Sequence, residues 1–468
     1  MSRPALEPLA CFAASLCLDS GDARLRERLW TTMLDWSSAL LAGTGQGLAG
    51  RYRQASLQPG ESGPCTVVAT PGRHPVVSAA CANAAISHLW EVDDAHRDST
   101  SHPGITVLPA VMAVAEARRV DASTVAAAVI AGIETVIRVG SHLGAAHYRT
   151  CHTTATAGSL GAAAAVSRMI GLDAERTLWA LGHAGTQAAG LWAFLDDSAA
   201  EAKAFHAATA VRNGIMAALL AESGVPGASR VLEGPRGMRA AWGLKDCDPA
   251  WLVPGPDPML HAVTVKGWPV CGQMHSALDC AAALAEAHPQ AAAGEAPVAV
   301  DLPASALAIA GLTEPADVAA AKFSTAFCVA ATLCGKAPTF KGLNASLLAD
   351  TAVRARAAAV TVREDPSFTA RFPAERPARV TIRAKEGDII VERSFRRGDP
   401  EAPWSRDAMI ARTDEVLALT PLRTDPVQLV DWCDRFADGH PDWQAGNLFA
   451  CIGPEIQGDS PQKERRAS

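Results

Sequence analysis

Aromatic residues are scarce in this chain. They make up 5% of 468 residues, with only two tyrosines, and charged residues reach just 19%. A core built on large rings is therefore excluded. The 49% hydrophobic content and the abundance of alanine point instead to small-residue helices packed closely. Basic charge is not in excess either. The formal net charge is -7, which offers no basic face to nucleic acid, so an anionic substrate must be caught by local cations. The twelve cysteines form no C-x-x-C pair and lie among apolar neighbours, as reduced core thiols of a cytoplasmic protein do. No apolar run reaches the ~18 residues a membrane span needs. Pro4, Glu7 and Pro8 interrupt the approach to the short apolar run at 9–18, so no signal peptide is expected. No G-x-G-x-x-G placed after a strand, Walker loop or G-x-S-x-G is present, which leaves nucleotide and hydrolase chemistry without support.

What the chain does contain is a polar island. From His88 to Gly104 it carries four carboxylates, three histidines and one arginine between Ala- and Val-rich segments. The chain reads as mainly α with an α+β part: a large all-helical domain over 1–262 and a smaller α/β lid domain over 263–400. Closing helices over 401–456 can return to the helical domain, and 457–468 reads as a disordered tail. Apolar spacing predicts helices at about 7–18, 23–42, 77–90, 107–118, 122–143, 155–170, 173–195, 203–222 and 228–233. The segment 155–170 has so little bulk that it belongs at the centre of the helical core. Beyond Pro254, helices are predicted at 272–287 and 315–335, strands at 298–302, 357–363, 378–384 and 389–395, and closing helices near 405–419 and 425–438.

Several polar positions invite chemistry. Asp94 and His96, with two more histidines nearby, have metal-ligand residue types, but their spacing matches no strong signature such as H-E-x-x-H, and no metal is expected. Asp93 and Asp94 also suit helix capping. His102 sits before Pro103-Gly104, a rigid turn that suits a proton-transfer group. His152 stands near a helix N-terminus, where backbone donors suit an anion. Lys203 and His206 share a helix face, and Lys266 and His275 flank a loop that opens a helix. A pocket of lysines and histidines with no cofactor motif suits a small polycarboxylate. The cations hold carboxylates and stabilise the enolate-like charge formed when an adjacent proton is removed.

The blocks Glu91-Val-Asp-Asp-Ala-His96 through His102-Pro-Gly, His147-Tyr148 with His152-Thr-Thr, Ala188-Ala-Gly-Leu, Lys203-Ala-Phe-His206, Leu232-Glu-Gly, Lys266-Gly-Trp-Pro-Val-Cys with His275, and Ala321-Lys-Phe-Ser run in one order over about 5–440. In that order they resemble the MmgE/PrpD family, which includes 2-methylcitrate dehydratase, cis-aconitate decarboxylase and iminodisuccinate epimerase. The resemblance implies a cofactor-independent, metal-free enzyme, usually a homodimer, with its site between the two domains. It places catalytic residues at Glu91, His102, His152, Lys203 and Lys266. His206, His275, Phe327 and Asp94 are expected to bind substrate. Glu91 stands where the family often has Asp, and the interval from Asp94 to His102 is one residue longer than in the decarboxylase branch. Phe327 replaces a family tyrosine. Dehydration of a 2-methylcitrate-like acid is the first expectation, with epimerisation or decarboxylation of a related acid, or an inactive binding homologue, as alternatives.

Overall fold

The computed structural model describes residues 3–18, 21–195 and 199–455. The expected tail at 457–468 lies outside them. Among the described residues, nine helices of eight or more residues build the first part: α1 (Glu7–Ser15), α2 (Ala23–Gly43), α3 (Ala49–Ser56), α4 (Val76–Ser87), α5 (Gly104–Arg118), α6 (Ala122–Tyr148), α7 (Thr153–Met169), α8 (Ala174–Thr186) and α9 (Lys203–Glu222). Their starts follow local chemistry. Asp22, Asp121 and Asp173 each accept a hydrogen bond from a first-turn backbone N–H of α2, α6 and α8. At the centre lies α7, with every side chain buried except Arg168, packed mainly against α6 and α9. Small residues make this possible. A Cβ on Gly161 would lie 2.1 Å from Val136 Cγ2 of α6, and one on Gly214 of α9 would lie 2.3 Å from Ala162 Cβ.

The absence of a membrane-length apolar segment does not hold. Helix α6 is long and apolar enough to cross a bilayer, with a mean hydropathy of 1.6 in its most apolar window. Nearly all of that window is buried against neighbouring helices, and the helix carries the buried pair Glu134–Arg138. It is therefore the core helix of this bundle.

The second part carries a four-stranded sheet in the order β2-β1-β3-β4, from β1 (Val298–Leu302), β2 (Val360–Glu364), β3 (Ala378–Ala384) and β4 (Gly387–Arg393). Strand β1 runs parallel to β2 and antiparallel to β3. All five β1 residues are buried, whereas the edge strand β4 alternates towards solvent. Helices His275–Ala287 and Thr325–Leu333 cover the sheet and join Val300, Val380, Ile382 and Leu278 in a second core. Helices Arg406–Leu417 and Pro426–Ala437 then pack on α2, and their Met409, Trp432 and Phe436 join the first core.

Four expectations shift locally. The helix predicted over 173–195 stops at Thr186, because the chain must bring the Gly190 carbonyl to the His152 N–H at 2.7 Å. Gly190 does so at φ +137°, with a Cβ there only 2.4 Å from Ala155 Cβ. The helix expected at 228–233 is a run of turns between Pro226-Gly227 and Gly234-Pro235. The one predicted at 315–335 is split, since Ser324 caps a new helix by accepting from the Phe327 N–H. Ala357 and Ala358 extend the helix Thr351–Ala358, so the strand starts only at Val360.

Candidate functional site

A cavity of about 870 Å³ opens where the two cores meet, within the size range of small-molecule sites. The polar island forms its floor through His88, Glu91, His96, Arg97 and His102. Lys203 comes from the start of α9, Lys266 from the crossing segment and Lys322 from the break before Ser324. Tyr148 reaches the cavity because α6 kinks at Gly144, φ 68°. Leu191–Leu195, freed by the early end of α8, supply an apolar wall.

His102 is fixed by a rigid frame. Its N–H donates to Thr154 Oγ1 at 3.0 Å. Its Nδ1 lies 2.6 Å from the Asp94 carbonyl and 3.0 Å from Asp93 Oδ2. Both oxygens can only accept, so Nδ1 carries the proton and Nε2 keeps a lone pair for the cavity. Burial and the neighbouring Lys266 push His102 down to about 4, so the ring is neutral near pH 7. Asp93 also accepts from His88 Nδ1 at 3.0 Å. Burial alone would raise Asp93, but His88, Lys266 and His102 hold it well below the usual carboxylate range.

Glu91 takes a left-handed conformation, φ 59°, which is strained for a residue with a Cβ. That turn aims its carboxylate at two lysines. Lys203 Nζ donates to Oε1 at 2.6 Å and Oε2 at 2.8 Å, and Lys266 Nζ donates to the Glu91 carbonyl at 3.0 Å with Oε2 at 3.4 Å. Burial opposes the charge on Glu91, but Lys203 and Lys266 outweigh it and hold the group well below its ordinary value. Lys266 is 1% exposed. Burial disfavours its charge, yet Asp93 and Glu91 raise it above its ordinary value. Among the described residues no carboxylate lies within 4.0 Å of Lys322, and Glu91 and Asp93 act on it only from farther away. Its Nζ reaches only the Leu89 carbonyl at 3.5 Å and the face of Trp90, and burial pushes it down to about 8.

His152 lies behind this layer. It is 1% exposed and packs on Trp192 at 4.6 Å between ring centroids. Its Nδ1 meets His206 Nδ1 at 3.1 Å, so one of the two rings donates to the other. Burial and Lys203 hold His152 well below its ordinary value. His88, His102 and His152 bring one ring nitrogen each within 4.8 Å of one another and are the candidate metal cluster among the described residues. The positive field of Lys266 and Lys203 at His102 and His152 opposes a dication there.

Among the residues expected from sequence, Glu91, His102, Lys203 and Lys266 therefore line one cavity, with His152 directly behind. The four expected substrate binders do not line it. Asp94 spends its carboxylate on the Gly104 N–H, at 3.0 and 2.9 Å; a Cβ on Gly104 would lie 2.8 Å from Oδ2, so the glycine of His-Pro-Gly serves close approach. His206 braces His152. His275 is fully buried with Nε2 against the Val270 carbonyl at 3.0 Å. Phe327 is 1% exposed inside the second core, so the hydroxyl missing there is not missing from the cavity wall. Sequence reasoning passed over His88, Tyr148, Lys322 and Arg376 and took Asp93 for scaffold. Lys322 had a signal: it is a single cation within the apolar run Ala319–Phe327.

Two profiles of one family match the chain: the MmgE/PrpD N-terminal domain over residues 7–247 and the MmgE/PrpD C-terminal domain over 268–420. Individual relatives are more distant. A cis-aconitate decarboxylase-like protein of Aspergillus oryzae is 33% identical over 210 residues, 42% of this chain and 43% of that protein. A cis-aconitate decarboxylase of Aspergillus terreus is 29% identical over 229 residues, 47% of this chain and 46% of its own length. The human cis-aconitate decarboxylase is 32% identical over 178 residues, 36% of this chain and 35% of its own. The chain thus spans less than half the length of each of these three relatives in the matched stretches.

Proposed function

Because the chain belongs to the MmgE/PrpD family, we propose that it is a cofactor-independent lyase acting on a small di- or tricarboxylate, by removal of a proton next to a carboxylate. The observation that carries this reading is the neutral His102, its Nδ1 proton committed to the Asp94 carbonyl and Asp93 and its Nε2 free beside a group of lysines. Lys203, Lys266 and Lys322 outnumber Glu91 and Asp93, so the cluster carries a net positive charge that a substrate carboxylate completes. His102 Nε2 takes the α-proton, and the enolate-like charge develops beside Lys266 and Lys322. Asp93 stabilises the imidazolium that results. With a hydroxyl on the next carbon, the C–O bond breaks and the oxygen takes a proton from the Lys322 ammonium, leaving water and an enoate.

A 2-methylcitrate-like hydroxy acid suits this sequence of steps. Incubating the protein with 2-methylcitrate while following ultraviolet enoate absorbance tests it; growth of that band is expected, and its absence for every hydroxy tricarboxylate would remove dehydration. Decarboxylation is the second reading, favoured by the names of the relatives. It needs a proton delivered to carbon as CO2 leaves, a step for which a neutral His102 is poorly prepared.

A further inference from the structure

We infer that Arg376 is the receptor for a substrate carboxylate remote from the reacting carbon, and so sets how many carboxylates the enzyme demands. This rests on the polycarboxylate reading above. Arg376 lines the cavity and is 6% exposed. Its contacts are all to neutral groups. Nη1 donates to Gln273 Oε1 at 2.8 Å, Nη2 donates to the Arg97 carbonyl at 2.8 Å, and the guanidinium lies over the Phe372 ring at 4.2 Å. Of the nearby acids, Asp399 pairs with Arg396 at 2.7 Å and Glu401 with Arg97 at 2.5 Å, and Asp98 acts on Arg376 only from beyond ion-pair distance. Among the described residues no carboxylate comes within 4.0 Å of Arg376.

A buried guanidinium cannot readily shed its proton and is costly without an anion. Burial and the adjacent Arg396 already pull Arg376 down to about 9, the mark of a cation lacking its counter-ion. Each Nη keeps one uncommitted N–H, which is the fork that a carboxylate accepts. Glu91, Tyr148 and Arg376 all line the same cavity, so the two ends belong to one binding space. A tricarboxylate can set two of its carboxylates on the lysine cluster and the third, remote one on Arg376, whereas a short dicarboxylate is filled by the lysine cluster alone.

The competing role is a purely structural clamp, since Arg376 ties the Arg97 backbone to the sheet-bearing part. Isothermal titration of the full chain with two inert probes separates the two. The probes are propane-1,2,3-tricarboxylate and succinate, and the proteins are the unaltered chain, Arg376→Gln and Arg376→Lys, each checked by its melting temperature. The tricarboxylate is expected to bind the Gln variant about 10- to 150-fold more weakly, with succinate changed by less than about twofold and the Lys variant in between. Equal loss for both probes, no change for either, or no binding of the tricarboxylate to the unaltered protein would overturn the proposal. Binding needs no turnover, so a protein that binds as expected but converts no acid would contradict the lyase reading alone.

Discussion

At the scale of single residues, the cavity separates charge from basicity. His102 is kept neutral by burial and Lys266, while Lys322 is brought down to about 8 by burial. The sign of each effect fixes a pH profile. As pH falls through about 4 His102 gains a proton and stops acting as a base; as pH rises through about 8 Lys322 loses the proton the leaving group needs. The profile of kcat/KM should therefore plateau between about 4 and about 8. Lys322→Arg should remove the alkaline limb and lower the rate; an unchanged alkaline limb in that variant would take Lys322 out of the reaction. Part of this cluster was legible in the chain: His102 stands out by its rigid His-Pro-Gly turn, whereas Lys203 and Lys266 are marked by family order alone, since a lone lysine is usually a surface charge. Their division of labour was not. Family order places Glu91 among the catalytic residues, and in the structure it holds the two lysines while Asp93 orients the ring. That distinction depends on a left-handed turn at Glu91, for which a non-glycine residue gives no local signal.

At the scale of elements, the small-residue helix α7 is the part that sequence described best, because lack of bulk has one packing consequence. Gly161 tests it. Its Cβ position lies 2.1 Å from Val136 Cγ2 and 2.8 Å from the Gly132 carbonyl, so Gly161→Ala should cost about 1–3 kcal/mol of unfolding free energy. Urea denaturation measures it, and a change below about 0.5 kcal/mol would mean that α6 and α7 are less tightly opposed. The elements sequence misjudged are those bent by a distant partner. The early end of α8 answers to His152, and the break before Ser324 leaves the buried Lys322 lining the cavity. The polar helix α3 is missing from the helices expected from sequence, because arginine, glutamine and glycine hide its weak periodicity.

At the scale of the whole molecule, the closing helices bind the two cores around the site. Arg412 pairs with Asp35 of α2 at 2.9 Å, and its guanidinium also donates to the Lys266 carbonyl at 2.7 Å and the Val92 carbonyl at 3.0 Å. The smaller part was legible as mixed α/β, because its strands alternate or are bounded by turns, but the parallel pairing of β1 with β2 had no signature in either strand. The family resemblance implied a homodimer, and we propose one. Exposed Phe205, Met216 and Leu220 on α9 support it, for their spacing places them on one helix face. Light scattering should give twice the single-chain mass, and a single-chain value at micromolar concentration would remove the dimer.

The measurement that bears most directly on the central claim is deuterium exchange at the carbon next to a carboxylate, read by NMR in deuterated water with a panel of hydroxy di- and tricarboxylates. Exchange reports proton removal before any product is identified. At least one acid should exchange with the unaltered protein, and His102→Ala should slow that exchange by about 10²- to 10⁴-fold while keeping its fold. Undiminished exchange in folded His102→Ala would contradict the role given to this histidine, and with it the account of the cavity.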